Sequence, residues 1–268
     1  MVQDHGVKLG DLGVCFYKNG KSEHRTISLR PSVFPNLPWE KAAVVTAASG
    51  GTVAAVAIDL LMRAALNILN YTTYYEMKTR AGTVGNNGVA PLVDKFASKV
   101  DRIHLIGHSF GGRLVTAAAK ASTTNRLASL TLLQAAFSHN GFSKIMKGFF
   151  RNVIEAKRIA GPILITNTKN DRAVGLAYPI ASRINNDTTM AIGDENDKFG
   201  GIGRNGAQKM DFGEVDTNET VLRDTAEKYT FSAGKCFNLR GDSFIKDHGD
   251  VTGKQIVNAM LNAIAKPK

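Results

Sequence analysis

Ile103-His104-Leu105-Ile106-Gly107-His108-Ser109-Phe110-Gly111-Gly112-Arg113-Leu114-Val115 is the stretch on which the reading of this chain turns. An apolar, strand-type run leads into Gly107, a helical pattern starts at Gly112, and G-x-S-x-G joins them, the strand–turn–helix context this motif needs. In a reversal this sharp, side chains at 107 and 111 would collide with neighbouring backbone, which explains both glycines. Ser109 then stands on a strained turn with its hydroxyl exposed. The helix that follows points its N-terminal N–H groups toward the serine, where they stabilise developing negative charge. Ser109 therefore reads as a nucleophile rather than as a structural serine in a Gly-rich turn.

Working outward, strand patterns occupy residues 100–106, 127–133, 162–166 and 235–239, with an earlier candidate at 25–29. Helical patterns lie at 54–78, 90–98, 112–121, 142–160, 176–184 and 251–265. Alternation of this kind predicts an α/β fold: a mostly parallel sheet with helices on both faces, and chemistry at the carboxyl ends of the strands. The whole chain, 1–268, reads as one domain. It carries a helical N-terminal segment over 30–80 and a polar, Gly- and Asn-rich loop excursion over 190–231 near the active face.

Gly107-His108-Ser109-Phe110-Gly111-Gly112 resembles the nucleophile elbow of the α/β-hydrolase superfamily, in the form common among its lipases and esterases. That resemblance implies a Ser, acid, His order, each residue on a loop after a strand. Asp171 follows the strand at 162–166, and His248, the only histidine beyond Asp171, follows the strand at 235–239. Asp194, Asp197, Asp247 and Asp250 compete as the acid; His5, His24, His104 and His108 fall outside the implied order as the base. His108, His139 and Phe142 are the substrate-side candidates, His139 as a rim residue after a strand end. Apolar residues over 142–150 read either as a lid over an acyl pocket or as one face of a packed helix.

The implied oxyanion donors are the backbone N–H of Phe110 and a second group, for which Gly6 of His5-Gly6 and the Ser49-Gly50-Gly51 turn are candidates. The superfamily pattern also calls for three strands ahead of the recognisable region, where this sequence offers one or two. Either the N-terminal sheet is abbreviated, or the reading frame opens inside a longer gene, or the segment 30–70 replaces those strands. Missing strands expose a sheet edge, and an exposed edge invites pairing with a second copy, hence an expected homodimer.

Composition removes several classes. Of 268 residues, 43% are hydrophobic and 21% charged, which argues against global disorder. Cys15 and Cys236 are too few for a disulfide scaffold or a zinc ribbon. The net charge of +11 raises the question of anionic partners, but the positive charges are dispersed and no nucleic-acid motif accompanies them, so no specific nucleic-acid partner is expected. The N-terminus lacks an apolar signal core, giving a cytoplasmic expectation. Residues 42–58 read as a buried or interfacial helix rather than a membrane span, and contact with a membrane surface stays open.

Gly201-Ile202-Gly203-Arg204-Asn205-Gly206 matches a dinucleotide fingerprint, yet opens no helix after a clear strand and reads as a flexible loop. In Asp194-Glu195-Asn196-Asp197, which resembles part of a calcium loop, Lys198 stands where an oxygen ligand is needed, so no metal is expected. The expectation is a cofactor-free serine hydrolase acting on carboxylic esters, small or lipid-like. Alternatives are a thioesterase or amidase on the same residues, and a non-catalytic interaction protein on a hydrolase scaffold.

Overall fold

The computed structural model describes residues 13–18, 21–23, 76–174 and 200–265. Its centre is a six-stranded sheet in the order β2-β1-β3-β4-β5-β6. The strands are β1 (Gly13–Lys18), β2 (Lys21–Glu23), β3 (Arg102–His108), β4 (Leu127–Leu133), β5 (Ile163–Asn167) and β6 (Cys236–Arg240). β3 to β6 are all parallel, with Leu130 opposite Ile163 and Ile163 opposite Cys236. β1 runs antiparallel to β3, Gly13 opposite Ile106, and β2 folds back on β1. The predicted α/β class and parallel strands are thus present.

Near-continuous apolar runs in β4 and β5 are what a sheet covered on both faces requires. Ile163 and Ile165 join one cluster with Leu105, Leu130, Leu132 and Val115, while Leu164 joins the other with Phe237, Leu239 and Ile256. This is the two-residue alternation of a strand between two layers. On the first face lie the π-helical turn Gly85–Val89, α1 (Ala90–Ala97) and α2 (Phe110–Ala121); on the second lies α5 (Lys254–Ala265). Residues 76–84 are helical as well, and two short helices follow α2: α3 (Arg151–Glu155) and α4 (Ile202–Asn205).

Several expectations change. The helix predicted over 142–160 is a series of turns followed only by the five residues of α3. Phe142 and Phe150 are drawn into the core against Phe137, so tertiary packing overrides the helical period. The expected flexible loop at 201–206 instead contains α4 with Ile202 fully buried, and more of the excursion, residues 214–222, lies along the outer edge of β6 through the bridges Val215–Cys236 and Val221–Arg240. β1 pairs along the edge of β3. The strand expected at 25–29, the helix at 176–184, residues 190–199 and nearly all of the 30–80 segment lie outside the described residues. Among the described residues no helix is long and apolar enough to cross a membrane.

Arg151 ties the turn region to the excursion. Its guanidinium donates twice to Glu214, both at 2.7 Å, and once to Glu155 at 3.0 Å, while its side chain is only 12% exposed. The Arg151 hydrogen bonds hold the Glu214 carboxyl below the ordinary glutamate value of 4.5. A carboxyl whose pKa is depressed on folding adds stability above its unfolded value and loses it as pH falls through the folded one. Arg151→Met is therefore expected to cost about 2 kcal/mol at pH 7. In urea unfolding curves the gap from wild type should close as the pH drops below the glutamate range.

Candidate active site

β3 ends at His108, and the chain turns at Ser109 with φ 55 and ψ −123, a left-handed conformation rare for a residue with a side chain. The turn persists because its backbone is held on both sides. Ser109 N–H donates to the Leu133 carbonyl at 3.1 Å, and the Ser109 carbonyl accepts from Gly112 N–H at 3.0 Å and Ala136 N–H at 2.9 Å. A Cβ on Gly107 would stand 2.3 Å from the Gly111 carbonyl oxygen, and one on Gly112 would stand 2.5 Å from the Ala135 Cβ. Gly107 and Gly112 allow strand, turn and helix to approach this closely, whereas the collision expected at Gly111 is not found: a Cβ there would meet nothing within 4 Å. Phe110, next to the serine, is the first residue of α2.

Asp171 follows β5 and is fully buried. Its Oδ1 accepts from Val174 N–H at 2.8 Å, leaving Oδ2 for His248, whose Nδ1 lies 2.9 Å away. The Nε2 of His248 lies 2.8 Å from the Ser109 hydroxyl. Nδ1 donates to the carboxylate, so Nε2 carries the lone pair that accepts from Ser109. Such a line can take the proton from the serine hydroxyl and hold the imidazolium that results. Ser109, Asp171 and His248, the three residues singled out in the sequence, meet in space.

The rival acids are accounted for differently. Asp247 Oδ1 accepts from Gly249 N–H at 2.8 Å and Asp250 Oδ2 from Lys246 N–H at 3.0 Å, so both brace the turn that carries His248. Asp194 and Asp197 lie outside the described residues, as do Gly6 and the 49–51 turn.

His108 touches the site through the backbone. Its Nε2 lies 2.7 Å from the His248 carbonyl oxygen, and the two rings are 4.7 Å apart between centroids. A carbonyl only accepts, so Nε2 of His108 bears the proton. Two of the substrate-side candidates require correction. His139 is 1% exposed; its Nδ1 accepts from the Asn205 amide at 3.1 Å, and its backbone pairs with Gly200 and Gln208. It clamps the 200–208 segment rather than forming a rim. Phe142 is fully buried in the core rather than facing substrate or forming a lid.

Sequence reasoning missed two residues that assemble the site. Asp242 Oδ1 accepts from the Thr168 hydroxyl at 3.1 Å and Lys169 N–H at 2.8 Å, and Asn170 donates to the Asp242 and Ile245 carbonyls. The loop bearing the acid is thereby tied to the loop bearing the base. Buried Gln134 accepts from the Thr166 hydroxyl at 2.8 Å and donates to the Asp250 carbonyl at 3.3 Å. Position after a strand end is the only sequence signal either residue carried. Gly203 of the glycine motif packs against Gln134, where a Cβ would come within 2.4 Å of the Gln134 carbonyl carbon. Its close approach is used for packing beneath the acid loop. Among the described residues no group of three His, Cys, Asp or Glu side chains is arranged to hold a metal ion.

Burial, and then the neighbouring His248, push the His108 imidazole below the ordinary histidine value of 6.5. Burial, reinforced by Arg102, takes His104 down to about 4. An NMR titration of the ring carbons should give His108 a midpoint below 6.5 and His104 one near 4, with His108 protonated on Nε2. No family model, curated protein or solved structure matches this chain.

Proposed function

We propose that this chain is a serine hydrolase of the α/β-hydrolase type that cleaves carboxylic esters through an acyl-enzyme. The observation that carries the reading is the unbroken line from Ser109 Oγ through His248 to the buried Asp171, at 2.8 and 2.9 Å. A second support is the left-handed Ser109 at the joint of a parallel strand and a helix, where backbone strain marks function more often than accident.

In the proposed reaction Ser109 Oγ attacks the ester carbonyl while its proton passes to His248 Nε2. Asp171 holds the ring in the tautomer that accepts it and offsets the charge the ring acquires. The tetrahedral oxyanion is assigned to the Phe110 backbone N–H at the helix N-terminus. Collapse breaks the ester C–O bond, and His248 returns the proton to the departing alkoxide. Water, deprotonated by the same imidazole, then attacks the acyl-serine; the carbonyl C–Oγ bond breaks, the imidazolium returns the proton to Ser109 Oγ, and the acid is released. Neither step needs a cofactor. The same residues serve thioesters and amides, and preference for esters rests on the resemblance of the Gly-His-Ser-x-Gly-Gly turn to that of esterases and lipases.

Ser109→Ala is expected to lower kcat on p-nitrophenyl butyrate by a factor on the order of 10⁴ to 10⁶, and Asp171→Asn by about 10⁴. A fluorophosphonate should label wild type and leave Ser109→Ala unlabelled. Wild-type protein that neither turns over esters nor takes the label would sink this reading in favour of a non-catalytic scaffold. Parallel ester, thioester and amide substrates with one acyl group rank the leaving groups.

A further inference from the structure

Three exposed apolar side chains crowd a single turn: Ile145 is 75%, Met146 36% and Phe149 53% exposed. Large apolar groups gathered like this on a soluble surface mark a contact for another molecule. Met146 and Phe149 also line a cavity of about 350 Å³ between α2, the helical residues around Lys78 and the turns at 137–150.

The polar part of that cavity has one sign. Lys78, Arg113 and Lys147 line it, and its described lining includes no carboxylate. Arg113 is held in place: its Nε donates to the Lys78 carbonyl at 2.8 Å, and its guanidinium carbon lies 5.2 and 5.5 Å from the ring centroids of Phe149 and Phe150. Burial and the Arg113 charge together lower the Lys78 ammonium to about 8.

We propose that this cavity binds one acidic amphiphile, its carboxylate head beside Lys78 and Arg113 and its hydrocarbon tail along Met146, Phe149 and Ile145. A small inorganic anion would leave the apolar rim unused. Lys78 and Arg113 are half-buried in the wall, so a head group must enter the cavity to meet them, whereas a flat bilayer stays outside. The site is separate from the Ser109 relay and does not depend on the hydrolase reading.

Calorimetric titration of the full chain with sodium decanoate, below its micelle concentration, tests this by heat rather than turnover. The expected result is one saturable site, with affinity about tenfold weaker in Lys78→Met and about threefold weaker in Ile145→Ser. Circular dichroism checks that Lys78→Met is folded, and Ile145, exposed at the turn, supplies a variant without a core role. Ser109→Ala should bind as wild type does. Decanol, with the tail alone, and acetate, with the head alone, should each bind far more weakly. The proposal is overturned if Lys78→Met and Ile145→Ser both bind decanoate like wild type, if decanol or acetate matches decanoate, or if Ser109→Ala abolishes binding. It is equally overturned if the protein sediments with phosphatidylglycerol vesicles while monomeric decanoate gives no heat.

Discussion

Parallel pairing of β3, β4, β5 and β6 is the constraint from which the site follows. Strands that run the same way deliver their carboxyl ends to one rim, so loops far apart in sequence emerge side by side. Ser109, Asp171 and His248 leave β3, β5 and β6 at that rim, and only side-chain reach is then needed to join them. The left-handed serine costs about 1–3 kcal/mol of backbone strain. Hydrogen bonds from both of its backbone groups to the end of β4 and the residues just beyond it hold the turn in that conformation.

The parts of this arrangement that could be read from the residues share one physical trait: local pattern and tertiary demand agree. β4 was legible from end to end because Leu127–Leu133 is a buried apolar run with polar residues on either side, and a strand covered on both faces needs little else. The turn at Ser109 was legible because Gly107 answers a steric requirement that backbone geometry imposes nearby, although the same reading of Gly111 fails and Gly112 carries the second close approach instead. Asp171 and His248 came from the order that the resemblance implied, and both lie at the same rim.

Where reading failed, distant packing outweighed the local signal. The apolar period over 142–150 has helical spacing, but a Cβ at Gly148 would lie 2.3 Å from the Gly141 carbonyl oxygen, so the chain doubles back on itself there. Phe142 and Phe150 are claimed by the core, while Ile145 and Phe149 are left outside. His139 followed a strand end as a rim residue would, yet its imidazole is spent on Asn205. The β1–β2 hairpin had a signal that went unused: Asn19-Gly20 sits between the two strands, the pair favoured by tight hairpin connections. Asp242 and Gln134 had only their place after a strand end, and nothing in a sequence says which neighbouring loop a side chain will reach.

The carboxylate of Asp242 leaves a mechanical signature on the relay. By holding Thr168 and Lys169 from across the rim, it makes the loops of Asp171 and His248 one stiff unit, while the serine turn is anchored separately to the end of β4. Two struts span these blocks, His108 reaching the His248 carbonyl and Gln134 reaching Thr166 and the Asp250 carbonyl, and they set the gap between imidazole and hydroxyl. Anyone transplanting either loop into another scaffold would have to carry both, since each alone arrives without the clasp that sets its angle.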